Sequence, residues 1–407
     1  MATLAGVGAS TRDDARCAGA EAAGIAIERL GGKSPSFAMV FGDVRYHQQS
    51  LLDGVTSMVG NGLMIGGSGA GQIGNDGPIR GGVVVMTLYS DREIEVLTAL
   101  AEGISQDARA AGQSVAQQVA DRLPARTLST TWVRAGNAFV PIHPYTFIML
   151  PDFTGDGAEV VAGVASVLPP PVQVVGGTTA DDLSFNHAFQ YHNGRVYSDA
   201  VAGALLIAQV PTALGVAHRW RPVGEGMVVT RAEGSRIIEL DNTPAIQAYV
   251  RVLGALAVEI PDEALGRMAL TNPLGIPEVT GEYQLRHPIS AQDDGSILCA
   301  ASIAEGSVVR MMTATVNEGV AAVRKATRAA LAGLGRAEPA LAIVFNWGVR
   351  LMLRPMEEMR RDVSAIREEI GPDVPMAGFF TYGEQASTPG GPVSFHNESC
   401  VIYVVGR

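Results

Sequence analysis

The segment TFIMLPDFTGDGAEVVAGVASVLPPPVQVVGGT, residues 146–178, opens on one apolar strand and closes on another that runs into glycines. Thr146-Phe147-Ile148-Met149-Leu150 is short and rich in residues that suit a buried, pleated strand. Val174-Val175 leads into Gly176-Gly177-Thr178, a turn of small residues, and the chain between the two strands is long enough for a crossover helix. A further apolar strand follows from Ala200 to Ile207. The same order recurs at Phe37–Phe41, Met64-Ile65-Gly66-Gly67-Ser68 and Val83–Leu88. It recurs again at Leu341–Phe345, Met376-Ala377-Gly378-Phe379-Phe380 and Cys400–Val405. Strand, helix, strand, glycine turn, strand is thus used three times. The fold expected is α/β in the mixed α+β sense: layered mixed sheets flanked by helices, built from these repeated units and arranged in two halves.

Other elements follow from periodicity. Ser10 and Thr11 are expected to open a first helix, with Asp14 near its start and Ala15, Ala18, Ala22, Ile25 and Ala26 at helical spacing, which Gly31-Gly32 ends. Ile94, Leu97, Ala101 and Ile104 share a helical face, which predicts a helix over roughly 92–123. Thr243 and Pro244 read as the N-cap and first turn of another. Helices are also expected over about 316–334 and 355–370. Asn193-Gly194 between Phe189–His192 and Arg195–Tyr197 is a hairpin signal, and Asp293-Asp294-Gly295-Ser296 marks a second hairpin with a longer loop.

Composition narrows the function. Of 407 residues, 47% are hydrophobic and 17% charged, so a large core is available; the formal net charge of −11 is a poor match to a phosphate backbone, and nucleic acid is not an expected partner. Cys17, Cys299 and Cys400 are odd in number and far apart, which fits a reducing compartment better than a disulfide framework. The opening MATLAGVGASTRDD lacks a basic n-region, and the longest apolar runs are about half a membrane span. A cytoplasmic protein without membrane insertion is expected.

Five stretches carry a resemblance: IGGSGAGQIG (65–74), VVGGTTADDLSF (174–185), WRPVGEGMVVTRAEGSRIIELDNTPAIQAY (220–249), GFFTYGEQA (378–386) and FHNES (395–399). In this order and spacing they resemble the FIST family (F-box and intracellular signal transduction proteins), over nearly the whole chain. The resemblance implies an N-terminal FIST half over 1–235 and a C-terminal half over 236–407. It further implies a sensory module for small ligands such as amino acids, acting in intracellular signalling through a separate output protein. A homodimer is among the assemblies the sequence allows.

Several motifs fail a test of context. Gly69-Ala70-Gly71-Gln72-Ile73-Gly74 satisfies GxGxxG, but Asn75-Asp76-Gly77-Pro78 follows where a dinucleotide site needs a helix. Gly66-Gly67-Ser68-Gly69-Ala70 comes close to GxSxG without a following helix signal. His187 and His192 fall on opposite sides of a strand, so no metal site is expected. No cofactor and no catalytic residue is assigned. Asp181-Asp182 reads either as a solvated turn pair or as a functional pair, and Glu384 stands in a comparable place after the third turn. Arg286 reads either as a sheet-edge ion-pair partner or as a fork for a carboxylate.

The binding hypothesis joins these residues. Glycine turns containing Gly67, Ser68, Gly177, Thr178 and Thr179 would line a cleft between the halves, offering backbone N–H groups and hydroxyls. Arg286 would hold a carboxylate, and Asp181, Asp182 or Glu384 an ammonium; Tyr382, His396 and Asn397 complete the candidate ligand-binding set. Two alternatives stand beside it. One is a hydrolase of a small acyl or amide substrate using Ser68 or a threonine, and the other is a protein-interaction scaffold.

Overall fold

The structure, a computed structural model, describes residues 3–60, 62–123, 131–135, 138–142, 144–255, 271–278, 281–352, 356–387 and 393–407. The chain forms two compact units. One comprises Met1–Ala217, Ala322–Phe395 and Ser399–Arg407; the other comprises His218–Ala321 and His396–Glu398.

In the first unit the three sequence repeats become three six-stranded sheets with equivalent strand order. The first runs Thr3–Ser10, Val83–Ser90, Phe37–Gly42, Leu63–Ser68, Gln190–His192, Arg195–Tyr197. The second runs Ile94–Glu102, Ala200–Ala208, Tyr145–Pro151, Gln173–Gly177, Glu384–Ser387, Val393–His396. The third runs Thr212–His218, Ser399–Gly406, Pro339–Trp347, Met376–Thr381, Gln72–Gly74, Gly77–Ile79. The middle pair of each sheet is parallel, so each needs a crossover, supplied by helices Gln48–Val59, Gly157–Val167 and Met356–Ile370. The last two strands of each sheet come from another repeat. The hairpin following the 63–68 strand lies in the third sheet, that following 173–177 in the first, and that following 376–381 in the second. This cyclic exchange makes the repeats mutually dependent.

Alternation along the strands gives each sheet two apolar faces. The inner faces share one core, which contains Phe41, Ile65, Ile148, Leu150, Val175, Phe345, Ala377 and Phe379. The outer face of the first sheet packs Ala38, Val40 and Met64 against Ala18, Ala22 and Leu51 of helices Ala15–Glu28 and Gln48–Val59. The first of these helices opens at Asp14, whose side chain accepts from the Cys17 N–H, and not at Ser10 and Thr11 as expected, because Ser10 is the last residue of the strand paired with Val83–Ser90. The arrangement is the expected one of mixed sheets layered with helices.

The second unit is built on one mixed-register antiparallel sheet that includes Leu274–Pro277, Tyr283–Arg286, Val308–Thr313, Arg221–Glu233 and Arg236–Leu240. Helix Ala245–Ala255 contributes Ala248, Tyr249 and Leu253 to its core, together with Val229, Ile237 and Met311.

Two sequence expectations are corrected here. Residues 94–102 are a strand, not the first part of a helix; the helix is confined to Ala108–Ala120. Ile94, Val96 and Thr98 are buried at period 2, competing with the period-3.6 series Ile94, Leu97 and Ala101, and nine residue pairs with Ala200–Ala208 decide between them. Thr243-Pro244 is a two-residue strand paired with Glu239 and Leu240, and the Thr243 hydroxyl donates to the Leu240 carbonyl instead of capping the helix. Among the described residues no helix is long and apolar enough to cross a membrane.

Candidate functional site

The ends of the three central parallel strands meet. Registers pair Val40 with Gly66, Met149 with Gly176 and Val344 with Gly378, and these three glycines are equivalent. A Cβ at any of them would lie 2.0, 2.0 or 1.9 Å from the carbonyl oxygen of its partner, so no larger residue fits this strand pairing. From there the turns run in step: Ser68, Thr178 and Phe380 are equivalent, and so are Ala70, Ala180 and Tyr382.

Three backbone hydrogen bonds close the turns into a ring. Ala180 N–H donates to Ser68 O (3.0 Å), Tyr382 N–H to Thr178 O (3.1 Å), and Ala70 N–H to Phe380 O (2.9 Å). Three more repeat the pattern: Ser68 N–H to Phe189 O (2.9 Å), Thr178 N–H to Gly383 O (2.8 Å), and Phe380 N–H to Gly71 O (2.8 Å). Taken cyclically, each turn in the first set donates to the one before it, and in the second set each donates to the repeat that follows. The expected exposed N–H groups are therefore engaged in holding the turns together. Gly67 and Gly177 are small for a related reason: a Cβ there would lie 2.4 Å from the methyl of Thr179 or of Thr381.

Within the ring the inward-facing side chains become polar. Gln72 stands opposite Phe379, Gln190 opposite Gly67 and Glu384 opposite Gly177, again three equivalent positions, and all three are fully buried. Gln72 Nε2 donates to Gly69 O (3.3 Å). Gln190 Nε2 donates to Thr179 Oγ1 (2.7 Å) and to Asp152 Oδ2 (3.0 Å). Glu384 accepts from the Thr381 hydroxyl (2.5 Å) and from the Ser399 N–H (3.0 Å). The Oε1 atoms of Gln72 and Gln190 are buried without a hydrogen-bond partner among the described residues, a condition that costs free energy unless something else supplies the donor. Burial pushes the Asp152 carboxyl up, partly offset by the Gln190 amide. On the outer face, Gln385 Nε2 donates to Thr178 Oγ1 (2.8 Å). Ser68 is likewise occupied: its hydroxyl donates to Ala180 O (2.7 Å) and accepts from the Phe189 N–H (2.9 Å).

Asp181 organises the loop beside the ring. Its carboxylate accepts from the Tyr382 hydroxyl, the Ser184 hydroxyl (2.8 Å), and the N–H groups of Leu183 (3.1 Å), Phe185 (3.0 Å) and Asn186 (2.7 Å). Burial disfavours its charge, but the Tyr382 hydroxyl and the Asn186 N–H lead a set of donors that more than reverses this and holds the pKa at about 2. Burial and the neighbouring carboxylate raise Tyr382 well above the usual phenol value, which keeps its proton on. Leu183 and Phe185 have left-handed backbones, φ +78° and +56°. The Phe185 ring stacks on Tyr382 with centroids 4.5 Å apart, and Phe153 meets Tyr382 edge-on at 5.4 Å. Asp182 is exposed.

Of the candidate residues, Gly67, Ser68, Gly177, Thr178, Thr179, Asp181, Tyr382 and Glu384 thus gather at or beside one ring. Arg286, His396 and Asn397 belong to the second unit. There Arg286 is buried, donating from Nε to Ser302 O (2.9 Å) and from Nη1 to Leu285 O (2.9 Å). Its neighbour His287 meets Glu398 through Nδ1 at 2.7 Å, and Glu398 is both buried and left-handed, with φ +59°. Sequence reasoning missed Gln72, Gln190, Asp152, Thr381 and Glu398 as site residues. A usable signal existed for two of the equivalent positions: Gln72 and Glu384 each lie six residues after an equivalent glycine, Gly66 and Gly378. Gln190 lies fourteen after Gly176, because the Asp181 loop intervenes. Among the described residues no group of three His, Cys, Asp or Glu side chains is arranged to hold a metal ion.

The FIST N domain model matches residues 36–243 and the FIST C domain model residues 245–387. An uncharacterized protein of Mycobacterium bovis is 27% identical over 401 residues, covering 93% of each chain; one of Mycobacterium tuberculosis is 25% identical over 409 residues, covering 96% of each. Among solved structures, a cyanuric acid hydrolase from A. caulinodans aligns over 100% of this chain and 99% of its own, at 8% identity and a TM-score of 0.32, too distant to bear on function. The chain belongs to the FIST family.

Proposed function

We propose that this FIST-family chain is a small-molecule sensor whose ligand is recognised at the ring of glycine turns and whose output is a separate signalling protein. One observation carries the reading: two equivalent buried glutamines, Gln72 and Gln190, keep an amide oxygen without a partner among the described residues, inside a ring that three repeats build together. Buried polar atoms of this kind are satisfied by internal water or by a ligand. The ring is buried, so a ligand enters only when the turns part. Binding is thereby linked to a conformational change, which a sensor requires. The Asp181 loop, with its two left-handed residues and its exposed Phe185, is the segment best placed to open.

The test is thermal unfolding of the full chain against amino acids, amines, organic acids and neutral amides. A ligand at a hundred times its dissociation constant adds about 2.7 kcal/mol, which raises the midpoint by several degrees. The expected result is a rise confined to one chemical class and lost in Gln190→Leu. A midpoint that stays constant across all classes refutes the sensor reading.

A further inference from the structure

An antiparallel sheet packed on one side alternates apolar and polar residues, the polar ones facing water. In the second unit helix Ala245–Ala255 packs on one side of the sheet, where Val229, Ile237, Ile297 and Val309 are all 0% exposed. Side chains alternate along a strand, so the neighbours Val228, Ile238, Leu298 and Val308 face the other way. These four stand on successive strands, in the sheet order Val308–Thr313, Arg221–Glu233, Arg236–Leu240, Ile297–Cys299. All four are aliphatic where alternation calls for polar side chains. Val228 and Val308 are register partners, 40% and 42% exposed, and Ile238 and Leu298 are half-buried. One exposed valine is ordinary; an aliphatic row that crosses four strands marks a surface for another layer.

The two ends of the row differ in charge. Arg310 stands at the Val308 end and on the same face, because a Cβ at Gly226 would lie 2.9 Å from Val308 Cγ1 and 3.9 Å from Arg310 Cγ. Arg310 donates to Gly224 O, and its Nε is buried without a partner among the described residues. At the other end the register partner of Leu298 is Arg236, which meets two carboxylates, Asp294 and, at 3.9 Å, Glu233. That end carries a negative charge in excess, and the Arg310 end a positive one. A two-fold axis lying in the plane of contact turns the row end for end. Arg310 of each copy then comes over Asp294 and Glu233 of the other.

We propose that this sheet face is a homodimer interface, at which two copies of the chain pack face to face with their aliphatic rows antiparallel. The row supplies the apolar area that is buried, and the unlike ends fix the direction of packing. A second copy brings both complements at once, a carboxylate pair for Arg310 and a guanidinium for Asp294 and Glu233. No ligand takes part, so the inference stands or falls independently of the sensor reading.

The test is sedimentation equilibrium of the full chain over a wide range of concentration, with no ligand added. The wild-type chain is expected to show a monomer–dimer equilibrium. Val308→Lys, a change at an exposed position, is expected to be monomeric throughout with an unchanged circular dichroism spectrum; Val228→Lys serves if that variant does not fold. Arg310→Glu is expected to raise the dimer dissociation constant about tenfold or more. Adding Glu233→Lys to it is expected to restore most of the loss, because each contact again pairs opposite charges. A wild-type chain that is monomeric at every concentration overturns the proposal and leaves the face to a different partner. A dimer that survives both lysine variants places the contact elsewhere and overturns it as well. A double variant no tighter than Arg310→Glu alone refutes the antiparallel arrangement.

Discussion

Asp181→Asn tests whether a single carboxylate latches the loop beside the ring. The carboxylate receives hydrogen bonds from Tyr382, Ser184, Leu183, Phe185 and Asn186, and its pKa lies at about 2 instead of the ordinary 3.8. At 1.36 kcal/mol per pKa unit that difference corresponds to about 2 kcal/mol of stability. Its sign follows from the depressed folded value: the contribution is complete above about pH 5 and is lost as pH falls through 4 toward 2. Asparagine keeps one acceptor but removes the charge and turns an N–H2 toward a set of N–H donors. Because the chain has two compact units, a local probe is preferable to a global unfolding midpoint. Hydrogen exchange of the backbone amides of Leu183, Phe185 and Asn186 reports the loop directly. We expect protection at pH 7 to fall about thirtyfold in the variant, equivalent to about 2 kcal/mol. Exchange read after brief incubation at lower pH, corrected for the intrinsic rate, should show the difference from wild type shrinking as pH approaches 2. A difference that is as large at pH 2.5 as at pH 7 would show that the charge does not hold the loop. Unchanged protection at pH 7 would refute the latch altogether.

Two further predictions concern packing and burial. Gly378→Ala should destabilise the protein by roughly 3 kcal/mol or more, because its Cβ would lie 1.9 Å from Val344 O and the obstacle is backbone. Gly254→Ala, exposed on a helix with no atom of the described residues within 4 Å of the new Cβ, should instead stabilise by about 0.5–1 kcal/mol. Equal urea midpoints for the two variants would contradict the geometry. A thiol reagent at pH 8 should label Cys17, which is exposed, and leave Cys299 and Cys400 until the chain unfolds; burial pushes the Cys299 thiol up to about 12. Rapid native-state labelling of Cys299 would show that its surroundings open more readily than described.

The strands of the three repeats were legible because each is fully buried on both faces and so reads as a continuous apolar run ending in small residues. The turn at Asn193-Gly194 was legible for a local reason as well: both residues take positive φ, which few residue pairs tolerate. Residues 94–102 were not. Their apolar positions fit two periods, and only the neighbouring strand Ala200–Ala208 selects one. The candidate site was half legible. Ser68, Thr178, Thr179 and Glu384 stand out beside glycines, whereas Gln190 is separated from its glycine by the Asp181 loop and looks like an ordinary hairpin residue. Glu398 lay within the quoted FHNES stretch, yet its left-handed backbone and its His287 partner, 111 positions away, depend on a long-range contact.

Read alone, the sequence was enough to establish the repeated strand–helix–strand unit, the mixed sheets it must form and the family resemblance. All three rest on local pattern: side-chain period, glycine placement and the order of short motifs. Only the tertiary structure decided that each repeat hands its hairpin to another, that the three turns hydrogen-bond in a ring, and that Gln72, Gln190 and Glu384 occupy equivalent inward positions. It also decided that the turn N–H groups bind one another, and that Asp181 holds a loop instead of standing open to solvent. The physical reason is the range of the interactions involved. Hydrophobic period is written along a few consecutive residues, whereas a hydrogen-bond partner or a shared burial site is chosen by strand pairing between segments more than a hundred residues apart.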